Sequence, residues 1–215
     1  MAGGRALAAM KHVGLNVAAD PLFTLAYTGV NGGLVVVTAD DPGLFSSQNE
    51  QDNRYYASHA KLAMLEPSDS QECLDFVKEA FDISEKFDTP VLFRVTTRIC
   101  HSKTLVKTSP RKEVPVRAYT KDVSKYVMAP ASAKKRKYIM EDRIEALKEF
   151  SETTTLNRIE SASGKVGIIT SGISYNHAKE VFGDEVSYLK LGFTWPLHEK
   201  LIRKFAGMVD TIYVI

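Results

Sequence analysis

Apolar runs and helical periodicities alternate along almost the whole of this chain. "RALAAM" (5–10) has the length and composition of a strand, and "NVAADPLFTLAYTGV" (16–30) reads as a helix ended by Asn31-Gly32-Gly33. "GLVVVTAD" (33–40) is a run of β-branched residues bounded by Gly and Asp-Asp-Pro-Gly, the pattern of a strand buried on both faces. A polar loop leads into a helix over 49–63, and a short strand follows at Met64-Leu65. In "EPSDSQECLDFVKEAFDISEKF", Ser68 or Asp69 caps a helix whose Leu74, Phe76, Val77, Ala80, Phe81 and Ile83 form one apolar face. Asp88-Thr89-Pro90 ends it, and "VLFRVTT" (91–97) is a further buried strand. After a stretch with little periodicity, an amphipathic helix is expected over 138–152. The alternation then resumes with strand "KVGIITS", helix "SYNHAKEVF", strand "VSYLKLG", helix "LHEKLIRKFAG" and strand "TIYVI".

Strands separated by single helices require parallel neighbours, because an antiparallel pair needs only a hairpin. The expected class is therefore α/β, with parallel sheets carrying helices on both faces. The pattern divides into an α/β unit over 1–103, a basic linker with an amphipathic helix over 104–163, and a second α/β unit over 164–215. Both units run up to the chain ends on strand-like segments, so the reading is of a piece of a larger assembly with uncovered edges.

Composition changes this picture little. Apolar residues make up 44% and charged residues 25% of 215, an ordinary globular balance. No apolar run approaches the length of a membrane span and no secretory leader pattern opens the chain, so no membrane is expected and a cytoplasmic location is the default. Cys73 and Cys100 lack metal-type spacing, and idle or buried thiols are expected. Charge is uneven: residues 103–137 hold eleven Lys/Arg against two acids, leaving 17 bases and 24 acids elsewhere. Such a stretch can contact nucleic acid, but it has three prolines and only Tyr119 and Tyr126 as aromatics. A solvated linker, or one lying on an acidic neighbouring surface, is the simpler expectation, without nucleic acid as a partner.

In a parallel sheet, ligands bind beyond the carboxyl ends of the strands. Three polar loops meet that condition: 11–16, 40–52 and 97–103. In the first, Lys11, His12, Gly14 and Asn16 stand together, and His12 is a general base only with a partner in reach. The second offers Ser46, Ser47, Gln48, Asn49 and Glu50, with Arg54 just beyond. Hydroxyls and amides at a helix start can hold an anion or a heteroaromatic edge, or Ser47 and Asn49 can simply cap the helix. No GxGxxG, GxxxxGK or nucleophile triad occurs.

Long contiguous segments carry a more specific signal. "RALAAMKHVGLNVAADPLFTLAYTGVNGGLVVVTADDPGLFSSQNEQDNRYYA", then "LEPSDSQE", "SEKFDTPVLFRVTTRICHSK", "YVMAPASAKKRKY" and "KVGIITSGISYN", resemble in order the alpha subunits of the indolepyruvate branch of thiamine-diphosphate-dependent 2-oxoacid:ferredoxin oxidoreductases. The resemblance spans essentially the whole chain. It implies a pyrimidine-binding α/β domain, a linker, and a domain like the carboxyl-terminal domain of transketolase, the first and last of them truncated. It implies oxidative decarboxylation of an aryl 2-oxo acid to an aryl-acyl-CoA on thiamine diphosphate and Mg, with electrons leaving through 4Fe-4S clusters to ferredoxin. A beta subunit and a second alpha subunit are the implied partners.

By the same resemblance, His12 to Asn16 lie near the reacting centre, His12 as the catalytic candidate, and Ser46 to Arg54 form a second loop at the cofactor and substrate interface. The family's opening strand and helix with their glutamate, its diphosphate- and magnesium-binding domain, and its cluster cysteines have no counterpart here. No metal ligand is therefore expected in this chain, and alone it should be inactive. A folded, non-catalytic interaction module is the alternative.

Overall fold

The structure, a computed structural model, describes residues 2–215. Strands β1 (Ala6–Lys11), β2 (Leu34–Asp40), β3 (Ala63–Leu65), β4 (Val91–Thr96) and β8 (Phe193–Trp195) form one sheet in the order β1-β2-β4-β3-β8. Strands β5 (Arg158–Glu160), β6 (Val166–Ser171), β7 (Ser187–Leu191) and β9 (Thr211–Val214) form a second, ordered β5-β7-β6-β9. The expectation of purely parallel sheets is corrected at two edges: β8 pairs antiparallel with β3, and β5 antiparallel with β7. Neither strand follows a crossover helix. β8 begins one residue after β7 ends, and Gly192 makes that passage through a space no side chain can enter, since a Cβ there would lie 2.5 Å from the Leu156 carbonyl oxygen.

Both faces of the first sheet are covered. On one, α1 (His12–Val17), α2 (Ala19–Thr28) and α3 (Arg54–Ala60) pack Leu15, Leu22, Ala26 and Ala57 on Val36, Met64 and Leu92. On the other, α4 (Ser70–Phe87) packs Phe76, Ala80 and Ile83 on Val35, Leu65, Val91 and Phe93. Adjacent strand residues thus feed opposite cores, which is why the runs read as continuously apolar. α7 (Pro130–Ser151) reaches both cores, with Met140 in one and Leu147 in the other. The second sheet carries α8 (Gly172–Phe182) and α9 (Glu199–Ala206), while α5 (Thr97–His101) and α6 (Val123–Tyr126) are single turns.

Several boundaries differ from the sequence reading, each for a local reason. Residues 12–16, expected as a loop, are the helix α1, whose Gly14 lies against Met10; a Cβ there would sit 3.0 Å from the Met10 Cβ. The helix expected over 16–30 is divided at Ala18, and the one expected from 49 begins at Arg54, because 49–53 serve the loop contacts described below. The loop expected over 97–103 opens as α5. α7 starts at Pro130, eight residues before the expected 138, with proline in the first turn, where its missing N–H costs nothing. Asp69 is the cap of α4, accepting from Glu72 N at 2.8 Å, and Glu72 accepts in return from Ser68 N and Oγ, both at 2.8 Å.

The same Glu72 joins the two sheets. Lys190 of β7, fully buried, donates to Glu72 Oε2, and Arg158 Nη1 donates to Oε1 at 2.9 Å. Burial lowers the Lys190 pKa, which Glu72 opposes. Asp88, in the left-handed cap of α4 (φ 52), gathers Lys125, Arg136 and Arg143 from the linker and α7. Arg117 pairs with Glu85 at 2.9 Å. Of the basic stretch, Arg117, Lys125 and Arg136 thus meet acids of α4 and its cap. Both thiols are free, Cys73 partly covered and Cys100 exposed. Among the described residues, no helix is long and apolar enough to cross a membrane.

Candidate functional site

Strand order brings three charged residues together. β2 ends at Asp40, β4 carries Arg94 in mid-strand, and Glu66 follows β3, so neighbouring strands deliver all three to one end of the sheet. Arg94 Nε donates to Asp40 Oδ2 at 2.7 Å and its Nη1 to Glu66 Oε2 at 2.6 Å. Asn53 N also donates to Asp40 Oδ2, at 3.0 Å. Burial pushes the Asp40 pKa up even against Arg94. The second oxygens, Asp40 Oδ1 and Glu66 Oε1, are buried without a donor. Asp52 stands 3.9 Å from Arg94 and grips Arg54 through Nε at 2.8 Å and Nη2 at 2.6 Å. Burial raises the Asp52 pKa, but the Arg54 bonds outweigh it and leave the carboxyl below its ordinary value.

The two loops singled out in the sequence meet beside this cluster. Lys11 Nζ donates to the Ser46 carbonyl at 2.6 Å, and Asn16 Oδ1 accepts from Tyr56 OH. Asp41 ties the loop down: Ser47 Oγ at 2.7 Å, Thr97 Oγ1 at 2.7 Å and Ser46 N at 2.8 Å all donate to it and hold its carboxyl well below the usual range. Glu50 accepts from Gly43 N at 3.0 Å. Gln48 and Asn49 stay exposed, whereas Gly14 is spent on packing against Met10.

His12, expected as a general base if a partner is in reach, lies inside the fold. Its side chain is wholly buried, with Nδ1 3.3 Å from the Ala39 carbonyl and Nε2 3.1 Å from the Asn49 carbonyl. Both ring nitrogens lie within hydrogen-bond distance of backbone carbonyls, so the imidazole links α1 to β2 and to the 46–54 loop.

A cleft of about 330 Å³ opens between this cluster and the start of α8. Its exposed rim includes Phe45, Arg54 and Arg98, and its walls include Glu66, Ile99 and Ile173. Gly172 starts α8 at φ 52, and a Cβ there would make ordinary contact with Glu66 Oε2 at 3.8 Å, so the glycine answers the backbone angle. Ser171, the residue before the helix, provides no side-chain cap to α8.

Arg94, Asp40 and Glu66 escaped the sequence reading, although an arginine inside "VLFRVTT" was a visible signal, since a buried charge requires partners. At the loop rim, the hydroxyl of Ser47 and the amides of Gln48, Asn49 and Gln51 suit the edge of a heteroaromatic ring. Among the described residues, no three His, Cys, Asp or Glu side chains are grouped to hold a metal ion.

Comparison with known proteins bears directly on this arrangement. Residues 1–162 match the profile of the pyruvate flavodoxin/ferredoxin oxidoreductase family, described as its thiamine diphosphate-binding domain. The chain is similar to the indolepyruvate oxidoreductase subunit IorA of Archaeoglobus fulgidus, at 43% identity over 220 residues, covering 100% of this chain and 35% of that protein. The subunit of the same description from Methanothermobacter marburgensis is 42% identical over 219 residues, covering 99% and 35%. The chain thus spans about a third of the length of these curated relatives. Among solved structures, 2-oxoglutarate:ferredoxin oxidoreductase from Magnetococcus marinus superposes with a TM-score of 0.71 at 16% identity, covering 99% of this chain and 46% of that one. A split-gene transketolase gives a TM-score of 0.51 at 14% identity, covering 97% and 56%. At these identities the superpositions establish the fold alone.

Proposed function

This chain belongs to the pyruvate flavodoxin/ferredoxin oxidoreductase family through its thiamine diphosphate-binding domain, and on that premise we propose that it is part of the alpha subunit of an arylpyruvate:ferredoxin oxidoreductase. The complete enzyme, working in the cytoplasm with a beta subunit and a second alpha subunit, would decarboxylate an aryl 2-oxo acid of the indolepyruvate type. It would deliver electrons through 4Fe-4S clusters to ferredoxin and the acyl group to coenzyme A. The observation that carries this reading is the end-to-end match, at 42–43% identity, to indolepyruvate oxidoreductase subunits.

In this reading the rim formed by residues 11–16 and 46–54 is one wall of the cofactor site. Ser47, Gln48 and Asn49 would meet the pyrimidine end, while the diphosphate and its magnesium ion would draw their ligands from elsewhere in the enzyme. Thiamine diphosphate supplies the nucleophilic carbon and the electron sink. The chain's own residues do the placing. Asp41, Lys11 and His12 lock the loop, and Asp52 fixes Arg54 in one orientation, so that its free guanidinium face can hold the carboxylate of the oxo acid.

Viologen reduction with indolepyruvate, coenzyme A and thiamine diphosphate tests this. The assembled enzyme should turn over, and the 215-residue chain by itself should not. An assembled enzyme that ignores arylpyruvates and turns over only other 2-oxo acids would refute the reading.

A further inference from the structure

The loop between β2 and α3 carries an aromatic ring outward at the mouth of the cleft. Phe45 is 66% exposed, and it is the one aromatic side chain among the described residues that line the cleft. Its backbone is not free to swing. Leu44 N donates to the Asp41 carbonyl at 3.1 Å and Ser46 N to Asp41 Oδ2 at 2.8 Å, so both neighbours of Phe45 are tied to one residue. Gly43 stands at φ 82 and Leu44 at φ 59, and the second is a left-handed conformation that a leucine rarely adopts. Strain of this kind persists only where surrounding bonds hold it, and it gathers at ligand clamps and active sites. A phenyl ring held in water by such a turn stabilises nothing in the chain itself, because its apolar surface stays hydrated.

Beside the ring stands a cation. The Arg98 guanidinium lies 6.0 Å from the centre of the Phe45 ring, and among the described residues it has no carboxylate partner. Thr96, Thr97, Ser171 and Ser174 bring polar side chains to the walls, and Ile99 and Ile173 add single aliphatic groups. A volume of about 330 Å³ lies at the lower end for small-molecule pockets. Such a cleft suits the oxo-acid end of a ligand, among charges and hydroxyls, and leaves a large ring at the mouth, where Phe45 stands. Resting on the arylpyruvate reading above, we propose that Phe45 is the residue of this chain that recognises the aryl group. Its ring packs on the ring of the 2-oxo acid as an offset or edge-on pair, and Arg98 alongside adds positive field for the anionic substrate. The contact is remote from the reacting carbon. It is made equally in the bound substrate and in the transition state, so its loss is read in KM rather than in kcat.

Steady-state viologen reduction by the assembled enzyme tests the proposal. Phe45→Ala should raise KM for indolepyruvate about tenfold, while kcat stays within about twofold and KM for coenzyme A is unchanged. Phe45→Tyr, which restores an aromatic face at an exposed position, should return KM for indolepyruvate to within about twofold of wild type. An unchanged KM for indolepyruvate in Phe45→Ala, a loss carried by kcat alone, or a rise confined to KM for coenzyme A would each overturn the proposal. So would a Phe45→Ala chain that no longer joins the assembly on size exclusion, since the exposed ring would then be a contact between subunits. Failure of the underlying reading looks different. A wild-type enzyme that turns over no arylpyruvate removes the assignment itself. A wild-type enzyme active on indolepyruvate, beside an equally competent Phe45→Ala, removes only the role of Phe45.

Discussion

Two buried ionic clusters sit at the junction of the sheets, and they differ in how completely their atoms are used. Around Glu72 every oxygen is occupied: Ser68 and Lys190 donate to Oε2 and Arg158 donates to Oε1. Around Arg94 each carboxylate is used through one oxygen alone, since Asp40 Oδ1 and Glu66 Oε1 have no donor. Exposure does not explain the difference, since the fully used cluster is the wetter one: the Arg158 side chain is 42% exposed, while those of Arg94, Asp40 and Glu66 are all buried. The closed cluster is a joint. The open one borders a cleft and keeps acceptor capacity in reserve, which is what a binding site needs and a joint does not.

The sharpest way to break this comparison is to remove one partner from the joint. Lys190→Ala takes the buried cation from Glu72, which keeps Ser68 and Arg158, and should cost about 3 kcal/mol in urea unfolding, the upper end for a hydrogen bond to a charged group. Acid should act next. His198, buried behind the joint near Phe193 and Asn157, has its pKa lowered to about 4 by burial. The unfolded chain takes up this proton near pH 6.5 and the folded chain only near 4. The contribution is therefore complete above 6.5 and is lost as pH falls toward 4, about 3 kcal/mol in all. His198→Phe should flatten that part of the pH–stability curve.

Smaller effects belong to the open region. Ser47→Ala removes one of three donors to Asp41 and should cost about 1 kcal/mol, seen chiefly as faster amide exchange over residues 43–50. Glu66→Gln should be the mildest, about 1 kcal/mol or less, because Arg94 keeps Asp40 and the lost oxygen was unpaired. If Glu66→Gln destabilised the fold as much as Lys190→Ala, the distinction between joint and site would collapse.

Much of the architecture was legible because it rests on short-range physics. "GLVVVTAD" and "VLFRVTT" are strands because β-branched residues pack on pleated surfaces, and Asp69 to Glu72 announce the start of α4 through a reciprocal cap. The misreadings were local too. Gly14 suggested a turn but serves a close approach to Met10, and Pro130 suggested a break but opens a helix. β8 was invisible: three residues acquire strand character only from pairing with β3, far away in sequence.

The candidate site divides along the same line. The convergence of 11–16 with 46–54 followed from the rule that parallel strands present their loops at one end, and the Lys11–Ser46 and His12–Asn49 contacts realise it. The burial of His12 did not follow, because the Ala39 and Asn49 carbonyls that meet its ring come from distant parts of the chain. By itself, then, the sequence determined the elements, the faces they bury and the end of the sheet where polar loops gather, all consequences of periodicity and capping within a few residues. Tertiary structure alone decided that the order β2-β4-β3 sets Asp40, Arg94 and Glu66 side by side, and that one oxygen of Glu66 is left without a donor. Which buried charges find partners depends on neighbours in space, and that is settled only when the strands have been ordered.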